Sequence, residues 1–190
     1  MDYVTIANIA LTKLGQYTSL ISLNDNTRPS IVMNANYENA RDLVLSEYDW
    51  PFATKKDVLA PSVTAPAWGS GNYFQLPSDF ISVVSLENPY DTWELEGQFI
   101  LANTDTLNIK YVYRETDPNK FSPMFIEAYS SYLAYLTSMQ ITGDEKIKSD
   151  MLQIYARDLN RARSFSAIQN SGKTYLSDAF INARVNGTID

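Results

Sequence analysis

Leu107-Asn108-Ile109-Lys110-Tyr111-Val112-Tyr113-Arg114 alternates between apolar and polar side chains. In an extended chain successive side chains point to opposite faces. Leu107, Ile109, Tyr111 and Tyr113 therefore share one face, and Asn108, Lys110 and Arg114 the other. The pattern predicts a half-buried strand. It is the last of a series: 73–76, 80–86, 92–95 and 99–102 are β-favouring segments set between turn signals. Pro61, Pro66, Gly69 and Gly71 break the chain ahead of them. Glu96-Gly97 and Asn103-Thr104-Asp105 read as hairpin turns. Links this short do not allow parallel crossovers, so an antiparallel meander is expected.

Helical periodicity brackets this region. On the N-terminal side, Ile6, Ile9, Ala10 and Leu14 predict a helix over 5–14 that Gly15 stops. A polar loop follows, and a second helix is expected from Pro29 to about Tyr48, with Met33, Tyr37, Ala40 and Val44 on one face. Pro51 is expected to end it, because the residue before a proline avoids helical geometry. On the C-terminal side, Phe125, Tyr129, Tyr132, Leu136 and Met139 recur at helical spacing over 122–141. After the turn Gly143-Asp144, a helix over 145–170 carries Met151, Tyr155, Leu159, Ala162, Phe165 and Ile168. Two helices joined by so short a link pack as antiparallel neighbours. Residues 171–190 lack strong periodicity and are expected to form a flexible C-terminal arm. The fold class expected is α+β. A mainly α-helical bundle is drawn from 1–56 and 115–170, with an antiparallel β-rich insertion over 57–114.

The chain has 190 residues, enough for one domain with a substantial insertion and a core that needs no staples. Thirteen Tyr, eight Phe and three Trp argue against general disorder. Cysteine and histidine are both absent, which excludes disulfides, thiol nucleophiles, His-dependent triads and the usual zinc sites. With 15 basic and 22 acidic residues the net charge is −7, so a diffuse grip on nucleic acid is not expected. The charge is unevenly spread. Residues 145–190 hold seven basic and five acidic groups, whereas Glu87, Asp91, Glu94, Glu96 and Asp105 follow one another with no basic residue among them. Neither a signal-peptide pattern nor an apolar run of spanning length occurs, so the protein is expected to be soluble, unprocessed and made in the cytoplasm.

The search for chemistry returns little. Gly69-Ser70-Gly71 lacks the third glycine and following helix of a phosphate cradle, and reads as a loop. Asn24-Asp25-Asn26 lacks the glycine and distal glutamate of a calcium loop. Asn186-Gly187-Thr188 matches a glycosylation acceptor but has no secretory context. Glu94 and Glu96, two apart on a strand, project to one face and could run glycoside hydrolysis without histidine. Nothing near them suggests how one carboxyl would stay protonated, and a solvent-facing surface is the plainer reading. The aromatic stripes are most simply core, although their number leaves room for a subunit interface. Arg157 and Arg161, one turn apart around Asp158, fit a solvated face or an intersubunit contact equally. No catalytic residue, cofactor or metal site is expected. Trp50, Pro51 and Phe52, at the helix exit, are expected to anchor the junction between helices and β-region.

The order of these motifs resembles a known family. Leu14-Gly15 closes the first helix. Ala40-Arg41-Asp42-Leu43-Val44-Leu45 leads into Tyr48-Asp49-Trp50-Pro51-Phe52-Ala53. Phe74-Gln75-Leu76-Pro77-Ser78-Asp79-Phe80, Trp93-Glu94-Leu95-Glu96-Gly97, Phe99-Ile100-Leu101, Tyr111-Val112-Tyr113-Arg114 and Asp117-Pro118 follow, and then the aromatic helix pair. Over 5–170 this is similar to the head-to-tail adaptor family of tailed bacteriophages, the tail tubular protein A-like or tail accessory factor group. The most specific parts, Trp50-Pro51-Phe52-Ala53 and Leu76-Pro77-Ser78-Asp79, are not catalytic. The resemblance implies a structural virion protein of the neck or tail, in a homo-oligomeric ring of about twelve copies beneath the portal. Such a ring extends the DNA channel, through which genomic DNA passes without sequence-specific binding, and docks a tail tube or nozzle protein. The resemblance also implies a C-terminal arm that reaches the portal, with Tyr175, Leu176, Phe180 and Ile181 as its contacts. Glu87, Asp91, Glu94, Glu96 and Asp105 would form an acidic channel wall that repels phosphate, or a tail-facing surface. A carboxylate-dependent cell-wall glycan hydrolase and a Tyr-rich glycan- or peptide-binding module are the alternatives.

Overall fold

Four α-helices and two three-stranded antiparallel sheets make up residues 1–17 and 19–170, which the computed structural model describes, and the chain is α+β. Tyr175, Leu176, Phe180 and Ile181, with the expected arm, lie outside the described residues. Helix α1 (Tyr3–Lys13) starts two residues earlier than its spacing predicts, because the Asp2 carboxylate accepts the Thr5 N–H and caps it. Helix α2 (Arg28–Ser46) is capped by the Thr27 hydroxyl. It ends before Tyr48, and Pro51 is not its stop: the proline opens a separate 3₁₀ turn, Pro51–Ala53. Helix α3 (Pro123–Thr142) begins at a Ser122 cap and closes on Gly143, whose φ of +70° suits a residue without Cβ. Helix α4 (Glu145–Asn170) runs back antiparallel along α3, bringing Tyr132 against Tyr155 and Ser131 onto Asp158.

The strands are β1 (Thr54–Leu59), β2 (Asn72–Gln75), β3 (Phe80–Leu86), β4 (Trp93–Glu96), β5 (Phe99–Ala102) and β6 (Leu107–Tyr113). They pair in the orders β1-β6-β3 and β2-β5-β4. The expected meander is therefore not formed. Glu96-Gly97 does make the β4–β5 hairpin, but Asn103-Thr104-Asp105 carries the chain from one sheet to the other. The reason lies in β6, which has apolar side chains to bury on both faces and takes the central place between β1 and β3. Leu107, Ile109 and Tyr111 enter a core closed by Phe74, Ile100 and Ala102 of the outer sheet. Val112 points the other way, into the helical core, with Ile81 and Val84 of β3 packed beside it. The molecule is thus layered as helices, inner sheet, outer sheet, with β6 belonging to both cores.

Strand β1 escapes the sequence pattern because its partners are polar. Lys55 Nζ lies 5.3 and 4.9 Å from the ring centres of Tyr111 and Tyr113 and donates to Asp79 Oδ2 at 2.6 Å. The β-region consequently begins at Thr54, three residues before the expected start of the insertion at 57. The stripe expected on α3 is also only part of its buried surface. That helix is wrapped by α1, α2 and α4, and it buries Ala128, Leu133 and Ala134 as well as Ser130, Ser131, Thr137 and Ser138, while Met139 is exposed. Three of these hydroxyls are satisfied by carbonyls three or four residues back, and the fourth by Asp158. On α4, Met151, Tyr155, Leu159 and Ala162 are buried, but Phe165 and Ile168 are not; Ser166 is.

Trp50 closes the helical core at the junction. It is fully buried, its Nε1 donates at 2.9 Å to the Val44 carbonyl near the end of α2, which also accepts the Glu47 N–H, and its ring meets Tyr48, Phe52 and Phe125. Phe52 is half-buried on the same cluster, whereas Pro51 is exposed. Trp50→Ala is expected to lower stability by about 3–5 kcal/mol in urea unfolding, through cavity formation and loss of the Val44 bond. Glu115, just after β6, gives a second expectation. Burial alone would raise its carboxyl pKa, but hydrogen bonds from Lys120 Nζ, the Asp117 N–H and the Tyr113 hydroxyl outweigh it, and the net shift is below the ordinary 4.5. A carboxyl depressed in the folded state contributes stability above its unfolded pKa and loses it as pH falls through the folded value. Stability measured below pH 4.5 should therefore fall less steeply in Glu115→Gln than in the parent.

Candidate interaction surfaces

The outer sheet presents acid and aromatic side chains together on its outward face, and Trp93 and Leu95 at its margin. Its register sets Glu94 opposite Leu101 and Glu96 opposite Phe99, so both carboxylates and the half-buried Tyr73, Phe99 and Leu101 share the outward face. The Tyr73 hydroxyl donates to Glu96, and this bond holds the phenol pKa up, so Tyr73 stays a donor. Tyr73 also lies 5.3 Å from Phe99, ring centre to ring centre. The inward face of β4 carries Trp93 and Leu95, opposite buried Ala102 and Ile100; at the sheet margin they remain 41% and 45% exposed. The five acidic candidates are not gathered on one element. Only Glu94 and Glu96 share a face. Glu87 stands at the end of β3 and accepts from Asn108 Nδ2, Asp91 is held by Asn88 in the β3–β4 link, and Asp105 is exposed in the β5–β6 link.

A groove of about 370 Å³ on the helical layer has the opposite character. Met124, Met151 and Ile154 form its apolar floor, and Lys13, Arg157 and Arg161, with Glu127 against Lys13, its predominantly basic rim. Buried Asp158 organises the cations. Its carboxylate accepts from Ser131 Oγ at 2.8 Å and from Arg157 at 3.2 Å, with Lys13 Nζ 3.7 Å away. Lys13 in turn donates to Ser131 Oγ and to Glu127. The groove runs on past Met124 and Arg161 to Phe165. Sequence spacing brings Arg157, Asp158 and Arg161 together, but not Lys13 or Ser131, which come from α1 and α3 and carry no pattern of their own.

A third concavity, about 540 Å³, lies on the inner sheet where the helices no longer cover it. Lys56 and Lys110 face each other directly across β1 and β6, beside Val58, Asn108 and Ser85. Like charges so placed repel, and neither lysine has an ion pair among the described residues. The loops singled out in the sequence have structural explanations. Asp25 accepts the Ser22 N–H to close the turn before α2. Gly71, at φ +121°, has no room for a Cβ, which would meet the Ala102 carbonyl oxygen at 2.9 Å. Among the described residues no group of three acidic side chains is placed to hold a metal ion, and no helix is long and apolar enough to cross a membrane.

The groove separates folding from surface chemistry. Asp158→Ala removes the buried acceptor of Ser131, while Lys13 keeps Glu127 and Arg157 stays solvated, so it is expected to cost about 1–3 kcal/mol in denaturant unfolding. Arg161→Glu, on the exposed rim, should change stability by no more than about 0.5 kcal/mol while reversing the local charge. The sequence matches no protein-family model and no curated protein.

Proposed function

We propose that this chain is a structural virion protein, a head-to-tail adaptor of a tailed bacteriophage. About twelve copies form a ring beneath the portal, extend the DNA channel and dock a tail tube or nozzle protein. The observation that carries this reading is the presence of two unlike surfaces on one chain: the acidic, aromatic margin of the outer sheet and the basic-rimmed apolar groove of α3 and α4. A head-to-tail ring needs this, since each copy must offer its neighbours two different, complementary patches. The order of motifs around Trp50-Pro51-Phe52-Ala53 supports the same reading. The role is architectural and needs no cofactor. In it, Tyr175, Leu176, Phe180 and Ile181 contact the portal, and the exposed carboxylates of Glu87 and Asp105, outside the β4 margin, keep DNA from adhering as it passes.

Negative-stain imaging of the purified protein, with and without portal rings, tests the proposal. Closed rings seated on the portal are expected. Failure to bind the portal would overturn it, as would peptidoglycan turnover that disappears in Glu94→Gln, the outcome that the carboxylate-hydrolase reading requires.

A further inference from the structure

The two sheets have four edges, and three of them are blunted. On β1 the Asp57 carboxylate accepts the Val58 N–H at 2.9 Å, and Lys55 and Lys56 crowd the strand with charge. Strand β2 is covered by the chain that follows β1: Pro61 bridges to Phe74, and the Ser62 N–H donates to the Tyr73 carbonyl at 2.6 Å. Strand β3 is irregular at two places and lies beside α2. Strand β4 has none of these devices. It pairs in regular register with β5 alone among the described residues, every residue of it is exposed, and it contains no proline, lysine or bulge. Alternate backbone N–H and C=O groups along its free side are therefore available for another strand.

Its side chains specify what that strand must be. Glu94 and Glu96 lie on one face, so a second β4 laid alongside would set carboxylate against carboxylate. A strand that pairs well needs polar or basic residues on the Glu face and apolar ones beside Trp93 and Leu95. The sequence outside the described residues supplies such a segment in Asn182, Ala183, Arg184 and Val185, with the required alternation and the one basic residue in its middle. In antiparallel register, Arg184 falls opposite Glu94 and Asn182 opposite Glu96, while Ala183 and Val185 extend the apolar face at Leu95 and Trp93. We propose that residues 182–185 of a second copy add to β4 as a fourth strand of the outer sheet, each copy in the ring clasping the next. The inference rests on the adaptor reading for copies placed side by side. It leaves Tyr175, Leu176, Phe180 and Ile181, upstream of the strand, available to the portal.

Because the chain has no cysteine, paired substitutions can test this cleanly. Leu95→Cys is introduced in the full-length protein and Ala183→Cys in a second preparation bearing a size tag. The two are mixed under mild oxidation, and Val63→Cys, on an exposed loop, replaces Leu95→Cys in the control. The expected result is a disulfide heterodimer well above the control, lost in Arg184→Glu and restored when Arg184→Glu is combined with Glu94→Lys. Mixed product no greater than the control, or a bond that forms only inside a doubly substituted chain, would overturn the proposal. Portal binding is read separately. Rings that seat on the portal without the cross-link sink this inference alone, and a cross-link without portal binding sinks the adaptor reading alone.

Discussion

The alternation of side chains along β6 sends Val112 into the helical core and Leu107, Ile109 and Tyr111 into the core between the sheets. Burial of apolar surface is the main favourable term in folding, and here one strand contributes it on both faces. That requirement fixes the topology. A strand buried along one face, and on the other at Val112, needs hydrogen-bonded neighbours on both sides and packing above and below. β1 and β3 flank it, and the helices and the outer sheet cover it. Ties around its C-terminal end reinforce the join: Arg114 donates to Asp42 of α2, and Glu115 accepts from the Tyr113 hydroxyl, the Asp117 N–H and Lys120.

This arrangement separates stability from surface identity. The helical core and the β6 junction hold the fold, so the outer sheet can leave Trp93 and Leu95 half-exposed and carry on its face two carboxylates that have no ion pair among the described residues. On the helical side, the small side chains of α3 let three helices approach it closely. The hydroxyls they bring are bonded, most of them locally, so little is lost by burying them. The one long-range member, Ser131 on Asp158, belongs to the charged groove, where burial of the carboxylate depends on cations delivered from α1 and α4.

Much of the architecture is legible in the sequence because periodicity reports burial. Strand β6, the β4–β5 hairpin and the α3–α4 turn are readable in that way, each from its own few residues. What periodicity cannot report is partnership. Strand β1 is held by a lysine over two tyrosine rings and by Asp79, so it lacks the apolar alternation that marks a strand. The switch of sheets after β5 follows from Val112 facing the helices, a long-range fact. The stripe read on α3 holds from Phe125 to Leu136 but is incomplete, because a helix surrounded on three sides buries more than one stripe. The surfaces divide likewise: Glu94 and Glu96 are legible as a pair, whereas the scatter of Glu87, Asp91 and Asp105, and the union of Lys13 with Asp158, exist only once the elements are packed.

The three tryptophans fall into three different environments: Trp50 is sealed in the helical core, Trp68 is almost wholly in water, and Trp93 sits half-covered on the free margin of the outer sheet. Their indoles consequently act as built-in optical reporters. A collisional quencher in solution reaches Trp68 at once and Trp50 only when the core opens. Trp93 responds to whatever covers the margin of β4, with no need for an added dye. Unfolding and association thus have separate intrinsic fluorescence signals within one unlabelled chain.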